Sequence, residues 1–358
     1  MKVALIGPPK SGKTTIFNAL TSAEHETDKY SPPASEANIG VVQVTDDRIT
    51  RLSELYKPKK TIYANVEFHD FPGIFAKEGE NPESQIFSEI KSCEAFVLIL
   101  RSYPDEELDQ LYGEVNPLGN LSHFEDEMIL TDMVVAEKRL EKIELGYKRG
   151  VKTAAIQVEE KTLRRIVEHL QENKSIRDLE LAEDEQKAIR GFQFFSAKPL
   201  LVLLNTTENG FENQEELLEK VRQRGFMAEK IAGKFEQELS TLSEDEAALF
   251  MADMGMELSI KDRLTMLCYE LLGLISFFTV GEDEVRAWTI TKGSNAVTAA
   301  GKIHSDLARG FIRAECFGYD DIIAHGSEKH LREKGLFRLE GKDYTVKDGD
   351  ILNIRFNV

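Results

Sequence analysis

The sequence predicts a parallel α/β domain, split by a helical hairpin and followed by a small α+β module. Three textures along the 358 residues carry this reading. Short apolar runs recur at Lys2–Ile6, Gly40–Val44, Ala64–His69, Ala95–Leu100 and Pro199–Leu204, as a sheet covered on both faces requires. Between Glu125 and Ile189 proline is absent and charge dominates. There Ile129, Met133, Ala136, Leu140, Ile143 and Tyr147 repeat at alternating spacings of 4 and 3, an a/d helical seam. From Phe277 onward, short β-like runs alternate with Gly-Asp and Gly-Lys turns.

The elements follow in order. Lys2–Ile6 runs into a Gly/Pro loop, and Thr14–Leu20 is helical in pattern, which is how a parallel α/β domain opens. Gly150 punctuates the seam, and Leu163, Ile166 and Leu170 resume it, so the segment reads as an antiparallel hairpin. Pro199–Leu204 reads as the next strand of the same sheet, which makes the hairpin an insertion; two ordinary surface helices are the alternative. Leu264–Val280 reads as a helix end followed by a strand. Beyond it come runs at Arg286–Ile290, Phe311–Phe317, Tyr344–Val346 and Ile351–Phe356, with a helix at Ala296–Asp306.

Apolar residues make up 41% and charged residues 30%, a globular balance. With 45 Lys+Arg against 63 Asp+Glu the net charge is −18, which argues against passive coating of DNA or an anionic membrane. A local basic patch can still meet nucleic acid. No apolar run approaches the roughly 20 residues of a bilayer span. No secretory leader is recognisable, and a cytoplasmic protein is expected. Cys93, Cys268 and Cys316 lie far apart without CxxC spacing, as buried thiols of a reducing compartment do.

Gly7 to Thr14 matches GxxxxGK[ST], the phosphate loop. Gly7 and Gly12 permit the backbone turns that aim amide N–H groups at one point. Pro8, Pro9, Lys10 and Ser11 complete the loop. The helix from Lys13 adds its positive end. Lys13 is placed for the β- and γ-phosphates and Thr14 for Mg²⁺, and Thr15 is expected among the nucleotide-binding residues. Asp70-Phe-Pro-Gly73 follows a strand, as the second acid for Mg²⁺ and a γ-phosphate-sensing N–H do. Ile74 stands where Ras-like GTPases keep a water-orienting Gln. A base reader is expected after Pro199–Leu204, where the guanine motif NKxD is replaced by Asn205, Thr206, Thr207 and Glu208. The lost Lys and Asp degrade the guanine clamp and admit adenine. A further base loop is expected at Ala232 and Gly233.

At these residues the chain resembles the YchF/Obg-like ATPase family. The first loop is similar to its GLPNVGKST. Asn38–Arg48 followed by Leu55–Thr61 resembles its NxGVVxVxDxRL and YKPKKT stretches. Asp70–Ile74 resembles DIAGL, and Asn205–Glu208 its NxxE. Phe278–Gly281, Glu284–Ile290, Lys302–Asp306, Gly310–Glu315, Tyr319–Asp321 and Leu339–Asp350 resemble its C-terminal TGS domain. The resemblance implies an α/β P-loop G domain at 1–125 and 195–275, a coiled-coil-like helical insert at 126–194, and a TGS domain of ubiquitin-like β-grasp fold at 276–358. It implies slow hydrolysis of ATP, with GTP as the alternative, and Mg²⁺ as cofactor. It also implies association with the ribosome or structured RNA through the TGS domain and the insert, and no membrane or DNA partner. A nucleotide-binding scaffold with little turnover is the competing class.

Some positions depart from the family pattern. Lys10 replaces the loop Asn. In related proteins without the catalytic Gln this Asn helps to hold a K⁺, so a Lys10 ammonium in that place would supply the charge in cis; a solvent-facing Lys10 is the alternative. In the first switch, where a Thr that meets Mg²⁺ is usual, the chain offers Ser35, or Ala34 if counted back from Gly40. The stretch after Asp70–Gly73 is shortened to Ala76–Asn81, and Gln110 stands where a His is frequent. In the C-terminal module Lys292, Lys302, Arg309 and Arg313 are candidate phosphate contacts. Trp288 reads as core or as a stacking platform, and His304 as a helix surface residue.

Overall fold

The computed structural model describes residues 1–21, 37–71, 85–253 and 256–357. They form two compact units, Met1–Gly40 with Glu67–Ile260, and Val41–Val66 with Lys261–Val358. Among the described residues the strands are β1 (Lys2–Ile6), β2 (Asn38–Gln43), β3 (Lys60–Ile62), β4 (Asn65–Asp70), β5 (Ala95–Arg101) and β6 (Leu200–Asn205). They continue as β7 (Met227–Ile231), β8 (Leu274–Thr279), β9 (Glu284–Thr291), β10 (Phe311–Gly318), β11 (Arg338–Glu340) and β12 (Asp350–Phe356).

The first sheet has the order β2-β4-β1-β5-β6-β7, and the pairs from β4 through β7 are parallel. All of β6, and β5 up to Arg101, is buried. That is why these strands read as continuous apolar runs rather than as alternation. The register sets Leu5 beside Asp70, Arg101 beside Asn205, and Asn205 beside Ile231. The loops leaving β1, β4, β6 and β7 therefore open on one edge of the sheet, where parallel α/β folds bind ligands.

The expected hairpin is present, and it begins earlier than the predicted 126. Asn116 caps the outgoing helix, Pro117–Lys148, by accepting from Gly119 N at 3.0 Å. Pro117 takes the first turn, where its missing N–H costs nothing. Leu121, Phe124 and Met128 pack on the sheet core. From Ile129 onward the helix turns its seam to the return helix, Ala154–Gln171, whose Leu163, Ile166 and Leu170 meet Ile129, Ala136 and Ile143 in one cluster. Asp132, buried in that helix, accepts from Phe195 N at 2.9 Å and Ser196 N at 2.7 Å. It thereby fastens the chain just before β6.

The second unit holds a mixed sheet of order β11-β10-β12-β8-β9-β3. β10 and β12, and β8 and β9, are antiparallel; β12 with β8 and β3 with β9 are parallel. The helix Ala296–Ile303 covers its core with Ala296, Ala299 and Ala300. Three sequence expectations are corrected here. The helix predicted at Ala296–Asp306 is broken at His304, which caps a second short helix by accepting from Asp306 N at 3.2 Å. Tyr344–Val346 is no strand: Thr345 makes a single bridge to Asn295. Residues 41–66, read as part of the first domain, group with the C-terminal unit. The reason is β3, whose Lys60, Thr61 and Ile62 pair with Glu284, Val285 and Arg286 of β9. Arg48 adds a clamp, donating to both carboxylate oxygens of Asp348 at 2.7 and 3.3 Å, with its guanidinium over Phe278. Cys93, Cys268 and Cys316 are buried free thiols. No helix among the described residues is long and apolar enough to cross a membrane.

Candidate functional site

The loop between β1 and the helix Lys13–Thr21 is set by steric necessity. Gly7 has φ +149°, and a Cβ there would lie 2.3 Å from the carbonyl oxygen of Ile99. Gly12 has φ +98°, and a Cβ there would lie 2.1 Å from Asn205 Nδ2. Lys10, at φ 57°, holds a left-handed conformation that L residues other than Asn and Asp adopt rarely. Pro8 O accepts from Ser11 N at 3.3 Å, closing the turn. Pro8, Pro9 and Thr15 are half-buried.

Lys13 is buried, and its ammonium donates back to Gly7 O at 3.0 Å and Pro8 O at 2.9 Å. Burial lowers its pKa to about 8, with Asp70 opposing the shift and Lys10 adding to it. Thr14 Oγ1 donates to Asp70 Oδ2 at 2.8 Å, and Asn38 Nδ2 reaches the same oxygen at 3.5 Å. The loop hydroxyl and the carboxylate at the end of β4, distant in sequence, therefore form one oxygen pair. Ser35 and Gly73, the other switch residues expected here, and Ile74 lie outside the described residues.

Asn205 joins three loops. Its Nδ2 donates to Ser11 O at 2.9 Å, and its Oδ1 accepts from Gly233 N at 3.0 Å. The amide is spent on backbone, so Asn205 positions the phosphate loop and the Ala232–Gly233 turn rather than reading a base edge. Thr206 N donates to Ile231 O at 2.8 Å, and its hydroxyl accepts from Gln214 at 3.3 Å. Thr206 too is a fastener. Glu208 is exposed and opens a 3₁₀ turn, Glu208–Gln214, capped by the Thr207 hydroxyl. It is the member of this motif whose carboxylate is free of such structural duty. Gln110 is exposed on the helix Glu106–Tyr112.

The sequence reading missed Asn38 and Gln214 as site neighbours. Asn38 opens β2, and only the pairing of β2 with β4 shows that its amide comes to Asp70. A polar residue at the start of an otherwise apolar strand was the available signal.

A phosphate loop between a buried parallel strand and a helix, with an acid on the neighbouring strand, defines a P-loop nucleotide-binding protein of the G-domain class. A family model described as 50S ribosome-binding GTPase matches residues 2–131. The model of the YchF-GTPase C-terminal domain, described as a protein of unknown function (DUF933), matches residues 274–357. The chain is 36% identical to the Ribosome-binding ATPase YchF of Bacillus subtilis, covering all of both chains. It is 35% identical to the protein of that name from Pasteurella multocida, over all of this chain and 99% of the other. The solved YchF GTPase of Schizosaccharomyces pombe superposes with a TM-score of 0.82 at 28% identity, over 99% of this chain and 97% of that one. The chain belongs to the YchF family.

Proposed function

We propose that this chain is a slow, Mg²⁺-dependent nucleoside triphosphatase, preferring ATP, that works as a nucleotide-dependent switch on the ribosome. The observation that carries the reading is the Thr14–Asp70 pair at 2.8 Å beside the buried Lys13. A hydroxyl and a carboxylate are the hard oxygen donors that Mg²⁺ takes. No cluster of three or more His, Cys, Asp or Glu among the described residues could hold a metal by itself. Mg²⁺ bound with phosphates keeps several waters and takes only one or two ligands from the protein. Thr14 would hold it directly and Asp70 through water. Bound there, Mg²⁺ would supply positive charge to offset that of the nucleotide's phosphates.

The protein's own contribution is charge and position. The amides of Gly7 to Thr14 converge on the anion, and Lys13 leaves its loop carbonyls for the β/γ oxygens. Asn205 keeps the loop in that shape by holding Ser11 O. Glu208 accepts from the base, and the chain lacks the Lys and Asp of the guanine clamp. The names of the bacterial relatives, Ribosome-binding ATPase, support ATP and the ribosome as partners. A GTP-preferring enzyme is the second reading, because the S. pombe relative and the matching N-terminal model both carry the name GTPase. The C-terminal unit is taken as the TGS module.

Competition of ATP and GTP against a fluorescent nucleotide tests this reading. ATP should bind at least as tightly as GTP, with modest discrimination, since one or two base hydrogen bonds are worth about 1–3 kcal/mol. A hundredfold preference for GTP would replace the first reading with the second. Phosphate release should rise when ribosomes are added.

A further inference from the structure

The turn Phe195–Lys198, at the root of the hairpin, holds three parts of the first unit together. It leads into β6 and so lies at the edge of the sheet opposite the phosphate loop. The outgoing helix is tied to it by Asp132, which accepts from Phe195 N and Ser196 N. The segment after the return helix is tied to Ser196. The Ser196 Oγ accepts from Ile176 N at 3.3 Å, and its carbonyl oxygen accepts from Arg177 N at 3.0 Å and Arg177 Nε at 3.2 Å. Lys198 N donates to Phe195 O at 3.1 Å, which closes the turn.

The third part is the helix Gln85–Ser92, the next described element after β4 and Phe71. The Lys198 ammonium donates to Lys91 O at 2.8 Å and to Cys93 O, carbonyls at the end of that helix. A helix end leaves its last carbonyls without partners of their own and favours a cation there. Lys91 Nζ in turn lies 5.5 Å from the centre of the Phe195 ring. Phe71, next to Asp70, shares one buried cluster with Ile90 and Cys93 at this helix end, with Phe195 of the turn, and with Leu121, Phe124 and Met128 of the outgoing helix. Close-packed side chains pass on small shifts, because no void absorbs them. Asp132 and Ser196 suffice to fasten the hairpin to β6; Lys198 adds the bond to the helix behind Asp70.

We propose that Lys198 is a positioning residue for nucleotide hydrolysis, which locks the helix Gln85–Ser92 to the root of the hairpin and so passes displacement of the hairpin to Asp70. This rests on the hydrolase reading above and gives that site its route of regulation. Lys198 stands at the far edge of the sheet and touches no reacting atom. Its effect is on placement, and a misplacement of about 1 Å costs about a hundredfold in rate. Coupling of this kind is reciprocal, so the bound nucleotide should change how firmly Asp132 holds Phe195 N and Ser196 N.

The full chain without ribosomes is the test material. Hydrogen exchange of the Phe195 and Ser196 amides is compared with Mg²⁺-ADP and with a non-hydrolysable Mg²⁺-ATP analogue bound. In the wild type the two states should differ by at least about threefold in exchange rate. In Lys198→Met, which keeps an unbranched apolar stem and removes the ammonium, that difference should vanish. Its turnover at saturating ATP should fall at least about threefold while ATP affinity stays unchanged. Lys198→Arg, which can donate to both carbonyls, should restore turnover and the exchange difference. Equal exchange in the two states of the wild type would overturn the proposal, a comparison that needs no variant. So would a folded Lys198→Met protein that keeps its turnover or its nucleotide-dependent exchange, or a loss that Lys198→Arg does not restore. No phosphate release by the wild type would end the hydrolase reading itself, and this one with it.

Discussion

Lys13 is the most constrained ionisable group of the site. Burial holds its pKa at about 8, against 10.5 for a free side chain. The unfolded chain therefore keeps this proton to higher pH than the fold does. Between pH 8 and 10.5 the group's contribution to stability rises with pH, and below pH 8 the buried ammonium is a constant cost. Nucleotide binding has the opposite sign, because polyphosphate favours the charged lysine. ATP affinity should be flat below pH 8 and fall about tenfold per unit above it, as measured by titration calorimetry. A flat profile to pH 9.5 would exclude Lys13 from the phosphate contact. Lys10 offers a second test. Its left-handed φ of 57° is a conformation that Asn accepts well, so Lys10→Asn should fold normally. We expect wild-type hydrolysis to be indifferent to Na⁺ or K⁺ at equal ionic strength, and Lys10→Asn to gain a dependence on K⁺. Clear K⁺ stimulation of the wild type would reject a cis role for Lys10. The loop residues were legible in sequence because glycines at fixed spacing have few other uses. The backbone duty of Asn205 was not, since the same Asn in the same motif is compatible with reading a base.

At the scale of elements, Asp132 shows how the insert is fastened. Its carboxylate holds Phe195 N and Ser196 N in a buried place, and burial raises its pKa to about 6. Here the folded value lies above the unfolded one, so the group's contribution falls as pH rises from about 4 to 6 and is constant beyond. Asp132→Ala leaves two buried amides without their acceptor and should cost about 2–4 kcal/mol in urea unfolding at pH 7. A loss under 0.5 kcal/mol would show that the amides find other partners. The 4-and-3 spacing from Ile129 to Tyr147 located the hairpin in the sequence, and the structure places all six residues in its cluster. The start at Pro117 was hidden, because the first turns pack on the sheet and share no seam with the return helix. Likewise β3 is three residues with two lysines nearby, and no period is readable in so short a segment.

At the scale of the molecule, the two units are interleaved in the chain. Residues 41–66 leave the first unit after Gly40, supply β3 to the C-terminal sheet, and return through β4 to Asp70. A chain ending at residue 260 therefore lacks β9, the pairing partner of β3, and lacks Asp348, the partner of Arg48. Limited proteolysis of that truncated chain should cut within 41–66, while the full chain is protected there. Equal protection would mean that this segment is held without the C-terminal strands. Composition and strand texture announced two sheets, but pairing across more than 200 residues of sequence has no local signal. At the centre of the molecule's function is the loop from Gly7 to Thr14, which should bind a nucleoside triphosphate through Lys13. Titration of ATP with Mg²⁺ into the wild type and Lys13→Ala measures it. Loss of the charged hydrogen bonds, worth about 1.5–3 kcal/mol each, should weaken binding about a hundredfold while thermal unfolding stays cooperative. Equal ATP affinity in a folded Lys13→Ala protein would contradict it.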